Sequence, residues 1–283
     1  MNKNTTSDMR TTSWPVCKII AEFTSNHLGD ERIMTAMLQE AKRLGVDIVK
    51  FQSWQAARLR PDFPDYQATY QRHRSAELSD EQHRRLVRQC RELGLEFLTT
   101  CFDIHRVEFL ASLGISTVKM ASPDANSWSL MGRLMERFKT VIISTGLIEH
   151  GELEDLLRRV DRRKVVLLHC ISLYPTPLAE VNLSRMEWMR AQGFRTGLSD
   201  HTEGAEAAML AIARGAEFVE KHFTLSRALP GKDQAMSATP DVFEQICRWR
   251  DQVPLMMGQP IRRLTEMEQQ IRATYVGKWG NNR

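Results

Sequence analysis

The sequence is short of the features that mark several large protein classes. No apolar run approaches the ~20 residues a membrane-spanning helix needs. The opening MNKNTTSDMRTTSWP has no apolar core of the kind a signal peptide carries, so export is not expected and a cytoplasmic location is. Cysteines are few and odd in number, five in 283 residues, at positions 17, 90, 101, 170 and 247. They form no CxxC pair, which excludes a disulfide framework and a redox or zinc-ribbon motif and points to reduced core thiols. Net charge is small, formally +4, and the cations alternate with Asp and Glu, so nothing predicts a nucleic-acid surface. The RRVDRRK run (158–164) reads as the solvated end of a helix. No G-x-G-x-x-G follows the first apolar run, which argues against a dinucleotide-binding fold.

What is present is an ordinary globular balance, 42% hydrophobic and 26% charged, on a chain long enough for one large core. Eight short apolar runs recur along it: CKIIAEF (17–23), DIVKF (47–51), LEFLTT (95–100), STVKMA (116–121), TVIIST (140–145), KVVLLHC (164–170), FRTGLS (194–199) and EFVEKHF (217–223). Amphipathic helical patterns such as RIMTAMLQEAKRLG and EQHRRLVRQCRELG separate them, with Gly45, Gly94 and Gly215 placed as helix C-caps. Continuous apolar strands joined by helices predict a parallel sheet buried on both faces. Eight such units predict a single-domain α/β fold, a (β/α)8 TIM barrel. The expected boundaries are a loose arm over 1–15, the barrel over 16–258 and a tail over 259–283.

In such a barrel the active site forms where the strands end. Those ends carry Glu22, Lys50, Gln52, Thr100, Lys119, Ser122, Asp124, Ser144, Thr145, His169, Ser172, Ser199, Asp200, His201, Lys221 and His222. Two lysines, Lys50 and Lys119, with hydroxyls from Thr100, Ser122, Ser144, Thr145 and Ser199, make an anion pocket suited to phosphate. Each hydroxyl taken singly also fits a strand-end or cap residue. His201 and His222 end adjacent strands and can reach one point above the barrel. Neutral imidazoles suit a divalent ion with positions open for water and substrate, but a strand-end histidine serves equally as a packed, hydrogen-bonded core residue. Glu22 and Asp124 are candidate proton carriers or partners for the two lysines. Asp233, in the PGKDQAMS turn, is placed to hydrogen-bond a polyol.

The strings IAEFTSNHLGD, GVDIVKFQ, FLTTCFD, VKMASPD, ISTG, LLHCISLYPTP, GLSDHT, VEKHFTL and PGKDQAMSATPDVF resemble, in order and spacing over about residues 17–250, the barrel domain of the sialic acid synthase (N-acetylneuraminate synthase) family. The resemblance implies a C–C bond-forming transferase that condenses phosphoenolpyruvate with a sugar aldehyde, an N-acylhexosamine or related aldose. The products are a 3-deoxy-2-ulosonic acid and phosphate, and a divalent ion, manganese or magnesium, assists. Carried over residue by residue, His201 and His222 are the metal ligands. Lys50, Thr100, Lys119, Ser122 and Ser199 hold phosphoenolpyruvate, Gln52 and Asp233 face the sugar, and Glu22 does acid and base work.

Departures from the family pattern accompany the match. Pro123-Asp124 stands where Gly-Glu is usual, Ser172 where Asn or Glu is common, and TTCF replaces Ser-Thr-Pro-Phe. The loop after the second strand reads as compressed. The antifreeze-like domain that caps the partner subunit's site in the family is expected to be absent, which leaves open an acceptor without an N-acetyl group, a larger acceptor, or a separate capping partner; a homodimer would need another surface. Two other readings stay open: a barrel that has lost catalysis and acts as a binding or assembly subunit, and a different metal-dependent sugar-phosphate aldolase.

Overall fold

Parallel strands cannot be joined by a tight turn, so each return to the sheet needs a crossover, usually helical. The computed structural model describes residues 14–258 and 263–280. Its eight strands are β1 (Lys18–Glu22), β2 (Ile48–Ser53), β3 (Glu96–Cys101), β4 (Thr117–Met120), β5 (Thr140–Ser144), β6 (Val165–Cys170), β7 (Arg195–Asp200) and β8 (Phe218–His222). They pair in sequence order into a closed barrel, and β8 returns to β1 in parallel with Glu22 beside His222. The chain is a (β/α)8 barrel, and its strands lie within two residues of the apolar runs that predict them.

The helices are α1 (Glu31–Arg43), α2 (Tyr66–Ala76), α3 (Asp80–Leu93), α4 (Val107–Ser112), α5 (Trp128–Arg137), α6 (His150–Arg159), α7 (Ser184–Ala191), α8 (Glu206–Ala213), α9 (Pro240–Met257) and α10 (Glu266–Tyr275). Their starts follow local chemistry. Ser79 and Gln82 close a reciprocal capping box on α3, and Asp30 accepts from the Arg32 N–H at the head of α1. Gly45, Gly94 and Gly215 all take left-handed φ angles, as their predicted capping role requires. The stretch after β2 holds a helix of its own, α2. The expected arm lies almost wholly outside the described residues; of the expected tail, residues 263–280 are described and contain α10.

Strand alternation sends one set of side chains outward under the helices and the other into the barrel. Outward go Ile19, Phe51, Phe97, Val118, Leu167 and Val219, which join the helix faces in the two larger apolar clusters. Inward, Ile20, Ile48, Leu98, Ile142, Val166, Leu168 and Phe218 form a dry plug. Two residues further along the same inward rows the side chains turn polar: Glu22, Lys50, Thr100, Ser144, Cys170 and Glu220. Gly197 lies close against its neighbours, so that a Cβ would stand 2.1 Å from the Phe218 carbonyl oxygen and 2.8 Å from Leu168 Cδ2. No helix among the described residues is long and apolar enough to cross a membrane.

Candidate active site

The inward polar layer opens into a cavity of about 300 Å3 at the C-terminal ends of the strands. Lys50, from β2, is its hub. Its Nζ lies 2.7 Å from Glu22 Oε2 and 3.0 Å from Glu220 Oε1, and donates to Thr100 Oγ1 at 3.0 Å. Lys119, from β4, donates to Ser144 Oγ at 2.7 Å and reaches Glu220 Oε1 at 3.3 Å, and Ser199 Oγ donates to the same carboxylate oxygen at 3.3 Å. All seven side chains are buried.

The two carboxylates are held in opposite ways. Burial raises the Glu22 carboxyl above the usual range; the nearby Lys50 offsets this only in part, and the negative charge of Glu220 adds to it. Burial would also raise Glu220, but Lys119 and Lys50 flank it and pull it down to about 2. Neighbouring acids whose surroundings push their titrations apart are suited to different tasks, one moving a proton and one remaining a fixed anion. Glu22 is also held in place: Gln52 Nε2 and the Thr24 N–H both donate to its Oε1, each at 2.8 Å. Burial lowers the Lys119 ammonium, whereas for Lys50 the attraction of Glu22 and Glu220 outweighs burial and raises it.

Beside this array stand the two histidines, ring centroids 5.4 Å apart. His201 Nδ1 faces the Ile171 carbonyl oxygen at 2.8 Å. A carbonyl only accepts, so Nδ1 carries the proton that donates to it, and Nε2 is the nitrogen left for another partner. Burial, with the charges of His201 and Lys50, keeps His222 neutral by lowering it well below the usual histidine value. His222 Nδ1 is buried with no hydrogen-bond partner among the described residues. Burial would lower His201, but Cys170 and the Ile171 carbonyl raise it, so an ion there would displace any proton from Nε2; with the orphaned ring nitrogen of the neutral His222, that nitrogen fits a divalent ion. No group of three or more His, Cys, Asp or Glu among the described residues gathers to hold one, so water or substrate oxygens would complete the coordination.

Eleven of the seventeen residues singled out in the sequence line this cavity: Glu22, Lys50, Gln52, Thr100, Lys119, Ser122, Ser144, Ser172, Ser199, His201 and His222. Asp124 and Asp233 do not. After the short turn Ser122–Asp124 it is Pro123 that reaches the wall, and Asp233 is engaged by Thr24 Oγ1 at 2.8 Å. Gln52, expected to face a sugar, spends its amide on Glu22. Thr145 donates to the Leu168 carbonyl, and His169 lies 2.6 Å from the Val181 carbonyl on the outer face of β6. Lys221 is fixed outside the barrel by Asp200 and the Thr202 carbonyl. Sequence reasoning missed Glu220, Cys170 and Tyr174, and the apolar rim of Phe102 and Leu147. Strand parity could have found Glu220, which sits two residues from His222 and therefore on the same face.

With this geometry in view, the model of the NeuB family matches residues 37–262. The chain belongs to the NeuB family. Among its relatives, the N,N'-diacetyllegionaminic acid synthase of Campylobacter jejuni is 31% identical over 282 residues, covering 92% of this chain and 84% of that one. The pseudaminic acid synthase of Helicobacter pylori is 30% identical, covering 86% of this chain and 76% of its own. Among solved structures, the N-acetylneuraminic acid synthetase of Leptospira borgpetersenii, in complex with citrate, superposes with a TM-score of 0.82 at 28% identity over 93% of both chains. As a NeuB-family member the chain is a sialic acid synthase-like enzyme.

Proposed function

We propose that this NeuB-family chain condenses phosphoenolpyruvate with the open-chain aldehyde of an acylated hexosamine or related aldose, releasing phosphate and a 3-deoxy-2-ulosonic acid. The observation that carries this reading is the buried set of Lys50, Lys119, Glu22 and Glu220. Two buried ammonium groups stand among the hydroxyls of Thr100, Ser144 and Ser199, a setting for an anion, and any proton taken up by the raised Glu22 carboxyl would leave the set net positive.

Lys50 and Lys119 would bind the phosphate and then stabilise it as it departs. C3 of phosphoenolpyruvate attacks the aldehyde carbon, and the developing alkoxide would take a proton from Glu22, whose carboxyl burial makes easier to protonate. The Glu22 carboxylate then accepts a proton from the water that adds at C2. Loss of phosphate with C–O cleavage leaves the 2-keto group and completes the balance. Glu220 stays anionic between the lysines, and Gln52 with the Thr24 N–H keeps the Glu22 carboxyl aimed. His201 and His222 would hold the divalent ion, manganese or magnesium, which when bound polarises the aldehyde oxygen.

Incubating the protein with Mn2+, phosphoenolpyruvate and a panel of aldoses tests this by phosphate release. Turnover with at least one hexosamine, and its loss in Glu22→Gln, is expected; silence across hexosamines, neutral hexoses, pentoses and their phosphates defeats the reading. The place of Pro123 at the cavity wall, where Asp124 was expected, favours a second reading, a barrel that holds phosphoenolpyruvate without turning it over. Binding of phosphoenolpyruvate with no release under any acceptor would select it.

A further inference from the structure

The loop between β6 and α7 is fastened to the histidine pair in a way that phosphate binding does not require. At its start the Ile171 carbonyl accepts from His201 Nδ1 at 2.8 Å, and the Thr176 N–H donates to the His201 carbonyl at 2.9 Å. Thr176 Oγ1 donates to the carbonyls of Leu173 (2.8 Å) and Ile171 (3.3 Å), closing the loop on itself. At its far end the Val181 carbonyl is held by His169 Nε2. Between these anchors sits Tyr174. Its ring centroid lies 4.1 Å from that of His201, tilted by 39°, and 5.8 Å from that of His222, near edge-on at 61°. The three rings therefore form one cluster, and Tyr174 is its solvent side, 47% exposed while lining the cavity.

An imidazole attached through two rotatable bonds is oriented by what packs on its ring as much as by its hydrogen bond. His201 has both kinds of restraint, the carbonyl on Nδ1 and the Tyr174 face. His222 Nδ1 has no hydrogen-bond partner among the described residues, so ring packing against Tyr174 and His201 orients it. We propose that Tyr174 is a positioning residue whose ring fixes the mutual orientation of His201 and His222 and so sets their affinity for a divalent ion. This rests on the metal reading given under Proposed function. The role belongs to the ring and not to the hydroxyl, so phenylalanine should preserve it.

The test measures Mn2+ binding by calorimetry on the full chain without substrates, for the wild type, Tyr174→Phe, Tyr174→Ala and, as a control on the ligands, His201→Ala. A half-exposed ring can be removed without emptying the core, and circular dichroism with thermal melting checks that it has been. The expected result is affinity tenfold to a hundredfold weaker in Tyr174→Ala, near wild type in Tyr174→Phe and abolished in His201→Ala. A parallel arm needs no metal: the rate of carbethoxylation of His201 and His222 by diethyl pyrocarbonate, read by peptide mass spectrometry. It should rise several-fold in Tyr174→Ala and not in Tyr174→Phe.

Equal Mn2+ affinity in wild type and Tyr174→Ala overturns the proposal whatever the carbethoxylation rates. A wild type that binds no Mn2+, or a His201→Ala variant that binds as tightly as wild type, overturns the metal reading instead. The orienting role of Tyr174 is then decided by the reactivity arm alone, and unchanged rates overturn it. If Tyr174 served only to contact a sugar, Tyr174→Ala would raise KM for the acceptor and leave Mn2+ affinity untouched.

Discussion

At the N-terminal end of the barrel Lys18 Nζ lies 2.7 Å from Glu96 Oε2, with side chains 47% and 38% exposed; at the C-terminal end Lys50 Nζ lies the same 2.7 Å from Glu22 Oε2, with side chains 5% and 1% exposed. The lower end also has the larger opening, a groove of about 730 Å3 against about 300 Å3 above. The separation is the same at both ends, and the larger volume belongs to the solvated one, so neither quantity marks the site. Water does. In the lower groove the ions are solvated, and an exposed pair contributes about 0–1 kcal/mol. In the upper cavity desolvation makes each charge depend on its partners, and that dependence drives the Glu22 and Glu220 titrations apart. Chemistry follows the charges that have lost their water.

The sharpest way to break the comparison is to remove the upper hub. Lys50→Met leaves two buried carboxylates short of a cation and should cost about 3–5 kcal/mol in urea denaturation, with phosphate release abolished. Adding Glu220→Gln to that variant should recover stability without activity. Retention of full stability in Lys50→Met would show the upper end to be as solvated as the lower.

Acid should discriminate next. Burial lowers His27 and His83 to about 4, whereas an unfolded histidine titrates near 6.5. Between those values the unfolded chain binds more protons than the folded one. Stability is therefore complete above about pH 6.5 and falls as pH drops toward 4, by on the order of 3 kcal/mol per histidine. Denaturant midpoints across pH 4–7 check this; His83→Gln should flatten part of the slope.

Between the two ends, Gly197→Ala pushes a methyl against the Phe218 carbonyl and should destabilise by about 1–3 kcal/mol in thermal melts. The smallest effect belongs to the lower end. Lys18→Met should shift stability by less than about 1 kcal/mol and leave activity unchanged, and a larger loss would mean that the lower groove carries more than solvated pairs.

How far the sequence reveals this molecule depends on which physical signal each feature leaves. The barrel is legible because eight continuous apolar strands joined by amphipathic helices have few other ways to bury both faces. Lys50, Lys119, His201 and His222 are legible because charged or titratable groups end otherwise apolar runs. Glu220 is equally charged, but it sits in the middle of its run beside the more conspicuous Lys221, and only the two-residue parity of a strand separates the inward glutamate from the outward lysine. Gln52 was placed at the site without its task, since only the fold brings its amide to Glu22 across neighbouring strands. Asp124 and Asp233 sit on loops, whose course is set by contacts such as Thr24 with Asp233 that span more than two hundred residues of sequence. Tyr174 leaves no periodic trace at all, because its partners come from two other strands.

The plug of Ile20, Ile48, Leu98, Ile142, Val166, Leu168 and Phe218 makes the upper cavity a blind well, sealed from below. A vessel with a closed bottom must be filled and emptied through its mouth. The two lysines lie deep and the histidines with Tyr174 nearer the top, so in the proposed reaction an acceptor seated at the mouth would bar the way to the anion site. Under the proposed function, order of addition would be written into a patch of hydrocarbon that touches no reacting atom: the phosphate-bearing substrate would go in first, the sugar second, and phosphate would leave only after the long-chain product had cleared the mouth.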